Sequence, residues 1–208
     1  MRITTETKAA TRERIVTTAS KLFARNGWDG TTTRDIAAAA EIATGTLFNY
    51  FQSKEAIVAA LMTEALEKTR TEFDAGRAQG RSAEEDLFSF IYTGLKRLRK
   101  LRKVLASAAE TIFSQLVRSS RESAADSIRV AHLEMVERIL STHAVPIPIP
   151  FVAMQLYWTL YLGVFAFWAA DDSPNQEDTL ALLDHSLKVF IGSLKGPKGE
   201  GSHARKSE

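Results

Sequence analysis

The sequence of 208 residues contains no cysteine. This absence excludes a disulfide framework, thiolate metal sites, a cysteine nucleophile and a thiol redox sensor, and it fits a reducing compartment such as the cytoplasm. The first fifteen residues hold no apolar stretch of the kind that a secretory signal needs. We therefore expect a cytoplasmic protein.

Signatures of catalysis and of cofactor binding are also missing. The sequence has no glycine-rich phosphate loop, no Walker motif, no GxSxG and no HExxH, and its four histidines form no pair at metal-ligand spacing. The acidic run Glu84-Glu85-Asp86 falls at a predicted helix start, where acids complement the helix dipole. We predict no enzymatic activity, no metal and no cofactor, although an all-helical enzyme stays open as an alternative.

Proline and strand-type alternation are scarce, and helical periodicity dominates. Only five prolines occur, three of them between residues 146 and 150, where they favour extended backbone. Apolar spacing and capping signals predict an all-α fold. The capping signals include a capping box formed by Thr32 and Asp35, and Ser53 as the cap of the helix that begins at Lys54. The predicted helices cover about 11–25, 32–39, 43–49, 54–74, 83–103, 105–118, 122–142, 151–170 and 176–195, and residues 196–208 are predicted to be a disordered tail.

Positive charge is in small excess, with a formal net charge of +2. Residues 1–54 carry eight Lys and Arg against five Asp and Glu, a net +3, whereas residues 55–208 carry nineteen against twenty, a net −1. The positive excess therefore lies in the first quarter of the chain, which favours a nucleic-acid partner only weakly.

Two short helices joined by a tight turn and preceded by a longer helix are typical of a helix-turn-helix. The second helix of such a motif enters the major groove, so it needs short polar side chains outside and apolar ones inside. Thr44, Thr46 and Asn49 can face outward, while Leu47 and Phe51 can pack inward together with Ile42. Lys54 lies in the first turn of its helix, where a cation opposes the dipole, and a phosphate contact would explain it.

Residues 11–57 resemble the DNA-binding domain of TetR-family transcriptional regulators. The resemblance rests on Ala19, Leu22, Phe23, Gly27, Thr31, Thr32, Ile36 and Ala37, on the run Gly45-Thr-Leu-Phe-Asn-Tyr-Phe51, and on Ser53-Lys54-Glu55. It implies a helix-turn-helix domain at 1–54 and a larger helical ligand-sensing and dimerisation domain at 55–195, which the tail predicted from composition at 196–208 follows.

The same resemblance implies a set of DNA contacts. Thr33, Arg34, Thr44, Thr46 and Asn49 would reach base edges or phosphates, and Tyr50 and Lys54 would hold phosphates. Arg34 and Asn49 are the better candidates for base edges, because threonine discriminates bases weakly. An N-terminal arm with Arg2, Lys8, Arg12 and Arg14 could add backbone or minor-groove contacts.

Three positions depart from the family pattern. Glu41 stands where the turn usually has glycine, so it either avoids a positive φ or is strained. Ala43 stands where Ser or Thr usually caps the second helix, so a cap worth about 1 kcal/mol is missing. Phe48 replaces a common tyrosine and so lacks a hydroxyl that could reach DNA.

From residue 144 to residue 170 the chain has no charged side chain. The predicted helix 151–170 is about long enough to span a bilayer, so a membrane-associated helical protein is a second alternative. Helix 176–195, however, repeats leucine and phenylalanine at spacings of three and four, a heptad-type seam formed by Leu180, Leu183, Leu187, Phe190 and Leu194. We predict a homodimer through 151–170 and 176–195, as the resemblance implies, and no membrane partner.

An effector pocket is expected among the middle helices. Its predicted lining is Phe88, Tyr92, Phe113, Met135, Trp158 and Tyr161, with Gln115, His132 or Gln155 as polar groups, which suits an apolar or aromatic small molecule. The predicted function is a ligand-responsive regulator, a repressor by family precedent, that binds a palindromic double-stranded DNA operator and is released by its effector.

Six cations fall within eight residues at Lys96, Arg97, Arg99, Lys100, Arg102 and Lys103. With leucines on the opposite side, this pattern is typical of an amphipathic helix whose cations complement its C-terminal dipole. One functional alternative is a positive patch near the DNA-binding domain, and another is pairing with acids of that domain to transmit a signal. The sequence does not decide among these interpretations.

Overall fold

The computed structural model describes residues 5–108 and 124–194, and this part of the chain is all helical, as predicted. Short 3-10 turns at Arg99–Leu101 and Pro174–Gln176 precede α6 and α9. The helices are α1 Thr5–Asn26, α2 Thr33–Ala39, α3 Thr44–Phe48, α4 Lys54–Gly76, α5 Ala83–Leu98, α6 Arg102–Ser107, α7 Ala124–Ser141, α8 Phe151–Ala170 and α9 Glu177–Leu194.

Side-chain caps fix where several of these helices begin. Thr32 forms the predicted capping box with Asp35, and Ser82 forms another with Glu85. Ser53 Oγ accepts a hydrogen bond from the Ala56 amide and so caps α4, also as predicted. Caps of this kind satisfy backbone N–H groups that a helix start would otherwise leave unpaired.

Helices α1, α2 and α3 pack with the start of α4 around one apolar cluster. The helical spacing in α1 brings Ile15, Ala19 and Phe23 to the inner face, and all three are fully buried or nearly so. Ile36 of α2 and Leu47 of α3 are each 0% exposed and complete this cluster. The small N-terminal unit therefore holds α2 and α3 in a fixed relative position.

The remaining helices form a larger bundle in which α4 packs on α5 and α7, and α9 packs on α8 and α5. Its centre is rich in large aromatic side chains, which bury the most area per residue. Those that are least exposed are Tyr157, Phe165, Trp168, Phe90 and Phe190. Contacts between α1 and the 3-10 turn at Arg99–Leu101 connect the small unit to this bundle.

Three sequence predictions about element bounds need correction. Helix α1 begins at Thr5, so Lys8, Arg12 and Arg14 lie on a helix and not in an extended arm. The single helix predicted over 83–103 is broken after Leu98 by a 3-10 turn, and Arg102 and Lys103 begin α6. The cations at 102 and 103 therefore do not complement a helix C-terminus, because Arg102 instead turns toward the end of α8.

Several predictions fall outside the described residues. Arg2, Phe113 and Gln115 lie there, as do most of the helix predicted over 105–118 and the tail predicted over 196–208.

The heptad-type seam of the last helix packs within its own chain. Leu183, Leu187 and Phe190 are buried against α5 and α8. The apolar side chains of α9 that stay exposed are Leu182, at 36%, and Val189, at 45%. A partner subunit would therefore meet a different face of α9 from the one that the leucine spacing marks.

Helix α8 is long and apolar enough to cross a membrane by length and composition. One side of it nevertheless carries Tyr157, Trp158, Phe165 and Trp168, all buried in the bundle. The other side is exposed and uncharged along its length, and it includes Val152 at 76%, Leu156 at 36% and Phe167 at 44% exposure.

Candidate functional site

The turn between α2 and α3 is closed by backbone hydrogen bonds. The Ile42 amide donates to the Ala37 carbonyl at 3.0 Å and the Glu41 amide donates to the Ala38 carbonyl at 3.1 Å. This pair is the Schellman pattern, which needs a left-handed residue directly after the helix cap. Glu41 supplies it with a φ of +54°, so the strained alternative predicted for this residue is the one found.

Helix α3 presents its polar face outward from the core of the small unit. Leu47 and Phe51 are buried, whereas Asn49 and Phe48 are exposed and Thr44 and Thr46 are half-buried. Ala43 provides no side-chain cap, as predicted. The exposed ring of Phe48, at 46%, adds an apolar surface to this face that could meet a thymine methyl group.

Helix α2 contributes Thr33, which is half-buried, and Arg34, which is exposed. Asp35 beside them is committed to the cap, because the Thr32 hydroxyl donates to its Oδ2 at 2.6 Å and the Thr32 amide does so at 2.9 Å. Those hydrogen bonds from Thr32 lower the pKa of the Asp35 carboxyl. Arg34 therefore remains available to a phosphate or base, while the neighbouring acid is held away.

Lys54 has structural partners that its position in the sequence did not reveal. Its Nζ donates to the Trp28 carbonyl at 2.7 Å and to the Thr31 carbonyl at 3.0 Å, and it lies 3.9 Å from the centroid of the Trp28 ring. The ammonium thus joins the first residue of α4 to the segment between α1 and α2. The predicted phosphate contact of Lys54 stays a prediction.

Trp28 and Arg12 are structural parts of this unit that sequence reasoning missed. The Trp28 ring packs on Phe23 with centroids 5.7 Å apart, and the Arg12 guanidinium lies 5.0 Å above the Phe51 ring. The half-buried Tyr50 directly follows α3. A tryptophan between two glycines and an arginine on an exposed helix turn carry no pattern that predicts such pairing.

A small internal cavity lies in the bundle between α4, α5, α7 and α8. It has about 40 Å³ in which the centre of a water molecule fits. That is room for a few waters, less than a drug-sized ligand needs. Apolar side chains form most of its wall, and the residues with polar atoms are Thr69, His132, Trp158 and Tyr161.

His132 stands at the centre of an aromatic cluster on this wall. Its Nε2 lies 2.8 Å from the Tyr157 hydroxyl, and its ring centroid is 4.2 Å from that of Tyr161. Burial lowers the pKa of His132 to about 3 and raises the pKa of both tyrosines, so all three groups are neutral at physiological pH. The Trp158 Nε1 is buried without a partner in the described part of the chain.

The cavity gathers some of the predicted lining residues and not others. Trp158 and Tyr161 line it, as does His132. Phe88 packs at the edge of the core, Met135 is buried elsewhere at 1% exposure, and Tyr92 is 39% exposed. Residue type marked these three as candidates, but none of them lines the cavity. Gln155 is engaged by Arg129 instead.

The N-terminal unit and the chain as a whole are similar to known regulatory proteins. The family model described as bacterial regulatory proteins, tetR family, matches residues 15–61. The HTH-type transcriptional repressor Rv1474c of Mycobacterium tuberculosis is 27% identical over 188 residues, which is 86% of this chain and 94% of that protein. The HTH-type transcriptional repressor KstR2 of Rhodococcus jostii is 44% identical over 54 residues, 26% of each chain.

Among solved structures, Thermus thermophilus FadR, a TetR-family transcriptional repressor in complex with lauroyl-CoA, has a similar fold. It superposes with a TM-score of 0.67 at 22% identity, covering 91% of this chain and 98% of that chain. At that identity the likeness establishes the fold, an N-terminal helix-turn-helix domain followed by a helical domain.

Proposed function

This chain is a TetR-family transcriptional regulator, a DNA-binding protein and not an enzyme, and from that premise we propose that it is a dimeric repressor released from a palindromic operator by a small apolar effector. The observation that carries the proposal is the packed helix-turn-helix with α3 exposed along its polar face. The relatives named as repressors support this direction of regulation.

For operator recognition, we assign base-edge contacts to Arg34 and Asn49 and backbone contacts to Thr33, Thr44 and Thr46. Both assigned base readers are exposed. Arginine pairs with guanine and asparagine with adenine in the major groove, so these two residues can discriminate sequence. Tyr50 and Lys54 complete the set as phosphate contacts.

A second copy of the chain is the partner that we assign to the exposed faces of α8 and α9. These faces contain Leu156, Phe167, Leu182 and Val189, and contiguous apolar surface of this kind is characteristic of subunit interfaces. A two-fold axis through them would give two copies of α3 for two half-sites about 34 Å apart. A Cβ added to Gly163 of α8 would meet no heavy atom within 4 Å, so a second helix can approach closely there.

For the effector, we assign the cavity lined by Trp158, Tyr161 and His132. Its neutral aromatic wall disfavours a charged group, since burying an unpaired charge is costly. The unpartnered Trp158 N–H offers one hydrogen bond to an acceptor such as a carbonyl oxygen. Because the cavity is small, the bundle must open to admit a ligand, and that opening would couple the effector to the DNA-binding units.

Footprinting on DNA upstream of the protein's own gene tests the regulator. We expect a symmetric protected site and a steep loss of affinity with salt, because each phosphate contact releases counterions. Asn49→Ala should lower affinity for the site by about tenfold while binding to random DNA is retained, since a base contact contributes about 1–3 kcal/mol. Equal affinity for all sequences would overturn operator recognition.

Release by small apolar molecules tests the effector separately. A screen on the operator complex should yield neutral compounds that dissociate the wild-type protein. Trp158→Phe keeps the aromatic wall but removes the N–H, so it should weaken release and leave operator affinity unchanged. Phe88→Leu, away from the cavity, is the control. Release only by charged compounds, or equal release of the Trp158 variant, would contradict this assignment.

A further inference from the structure

A cleft separate from the internal cavity lies between the small N-terminal unit and the bundle. The C-terminal end of α1 forms one wall, the 96–103 segment forms another, and the turn from α8 to α9 closes it. It offers about 850 Å³ in which the centre of a water molecule fits, enough for a nucleotide-sized ligand. Neither the operator contacts nor the effector cavity uses this space.

Cations dominate the walls of this cleft, which we call the basic cleft. Its cationic lining residues are Arg25, Lys96, Arg99, Lys100, Arg102 and Lys103. Four of them, Arg99, Lys100, Arg102 and Lys103, follow the break of the helix after Leu98, in the 3-10 turn and the start of α6. Lys96 precedes the break on α5, and Arg25 lies on α1. The sequence alone did not decide between a solvated helix face and a functional positive patch for the cluster at 96–103.

Acidic groups in the cleft do not balance these cations. Asp171 is 6% exposed and its carboxylate accepts hydrogen bonds from Ser173 and Thr179. Burial opposes ionisation of Asp171, but these hydrogen bonds lower its pKa to about 2. Asp172 pairs with Arg102 at 3.0 Å, and Arg102 also donates to the backbone carbonyls of Trp168 and Asp171. Both acids are therefore committed to the turn.

Three cations of the basic cleft, Arg99, Lys100 and Lys103, form no ion pair in the described part of the chain. Lys96 has Glu72 at 3.9 Å, but Arg99, Lys100 and Lys103 have no acidic partner within residues 5–108 and 124–194. All three are exposed, and they stand close together along one short segment. Like charges at this spacing repel one another, and a polyanion would remove that repulsion while gaining charge-assisted hydrogen bonds.

We propose that the basic cleft binds a small molecule that carries two or more phosphate groups, held by Arg99, Lys100 and Lys103 with Arg25 opposite. Arginine and lysine are the residues that recognise phosphate most readily, and the concave shape admits a compact ligand better than a DNA backbone. Tyr92 also lines the cleft, 5.3 Å from Lys96 Nζ, and gives it one aromatic surface beside the cations. Because α1 supplies Arg25, an occupant would touch both the DNA-binding unit and the bundle.

Isothermal titration of the full-length protein with tripolyphosphate, ATP and inorganic monophosphate at constant ionic strength tests the proposal. We expect saturable binding of tripolyphosphate and much weaker binding of monophosphate. A triple variant, Arg99→Gln, Lys100→Gln and Lys103→Gln, should bind at least about tenfold more weakly, a change of about 1.4 kcal/mol. The control variant, Lys68→Gln, Arg70→Gln and Lys188→Gln, loses the same charge elsewhere and should bind normally.

The remaining outcomes each decide the matter. Tighter binding of ATP than of tripolyphosphate, lost in Tyr92→Ala, would support an organic group resting in the cleft, and equal binding would support recognition of the phosphates alone. Absence of tripolyphosphate binding, or equal loss in the control variant, would overturn the proposal. So would a triple variant that binds tripolyphosphate normally but has a salt dependence of DNA binding reduced by about 0.9 per contact, because the patch would then contact DNA.

Discussion

Glu41 is the residue whose backbone departs furthest from what its side chain prefers in the helix-turn-helix. It closes the Schellman turn after α2 at a φ of +54°, a conformation that glycine adopts without strain. Glu41→Gly should stabilise the protein by about 1 kcal/mol, which for a chain of this size is a rise in melting temperature of about 2–4 °C. Thermal unfolding followed by circular dichroism measures it.

Glu41→Gln is the matched control for that substitution, since it removes the charge and keeps the strained side chain. It should leave the melting temperature unchanged while tightening DNA binding, because an acid near the phosphates is lost. A Gln variant as stabilised as the Gly variant would contradict the role of backbone strain.

His132 makes stability depend on pH in a defined direction. Its pKa is about 3 in the folded protein and about 6.5 when unfolded, so the unfolded chain binds the proton first. Stability is therefore complete above pH 6.5 and should fall on acidification toward pH 3, by up to about 1.4 kcal/mol per pH unit. Urea unfolding at a series of pH values from 7 to 4 measures the slope.

The double variant His132→Phe with Tyr157→Phe should lose this part of the pH dependence, because it removes the imidazole without stranding the tyrosine hydroxyl. Tyr157→Phe alone should keep it. An unchanged slope in the double variant would assign the pH dependence to other groups.

Single residues also show where sequence reasoning reaches its limit. Thr32 with Asp35, Ser53 and Ala43 behave as predicted because a cap depends on residues within one turn of helix. Asp86 lies in the first turn of α5, as predicted, but it is also 1% exposed and contacts Arg77 and His143, which the sequence did not predict. Its partner at position 143 lies 57 residues along the chain, which no local pattern reports.

At the scale of elements, the junction between Lys54 and the segment after α1 holds α4 to the helix-turn-helix. Lys54→Met keeps the stem but removes both hydrogen bonds to the carbonyls of Trp28 and Thr31. We expect a loss of about 1–3 kcal/mol in stability together with weaker operator binding. Melting temperature and the salt dependence of DNA binding separate the two contributions.

The alternative is that Lys54 contacts phosphate and does not stabilise the fold. If Lys54→Met melts like the wild type and its DNA affinity loses about 0.9 from the salt slope, the ammonium serves as a phosphate contact alone. Lys21→Met changes an exposed lysine of α1 and controls for the loss of one charge from the same unit.

The presence of the helices was predictable from the sequence. The break between α5 and α6 and the packing partner of the leucine face of α9 were not. Apolar periodicity marks α4 and α9 correctly, because burial of one face repeats with the helical turn. Helix α8 is marked instead by its long run without charged side chains. The break between α5 and α6 has no proline or glycine to announce it, since it arises where the chain turns around the end of α8. The leucine seam of α9 likewise marks an inward face, because the same spacing serves a core and a dimer.

For the whole molecule, the proposed two-fold assembly makes operator binding depend on the uncharged faces of α8 and α9. Leu156→Asp combined with Leu182→Asp puts charges on both faces and should give a monomer in light scattering at micromolar concentration. Operator affinity should then fall at least about tenfold, because one half-site alone is bound.

Val130→Asp is the control for these charges, since it alters an apolar residue of α7 that is 49% exposed and lies off those faces. It should remain a dimer with normal operator affinity. A wild-type monomer at micromolar concentration would overturn the assembly outright.

The order of the two units along the chain was predictable, and the shape of the ligand space was not. The helix-turn-helix pattern is carried by adjacent residues in 15–61, so its identification needs no tertiary information. The cavity takes residues from four helices distant in sequence, so only Trp158 and Tyr161 of the predicted lining reach it.

The hydrogen bonds of Lys54 to the Trp28 and Thr31 carbonyls also allow α4 to act as a lever. The helix runs 23 residues from Lys54 to Gly76, a length of about 35 Å. If α4 tilts by about five degrees about its Gly76 end, its Lys54 end moves by about 3 Å, close to the distance between successive base pairs along DNA. Because Lys54 is hydrogen-bonded to the segment that leads into α2, we expect α2 and α3 to follow that displacement. A small rearrangement of the bundle would then shift α3, the proposed recognition helix, by about one base pair.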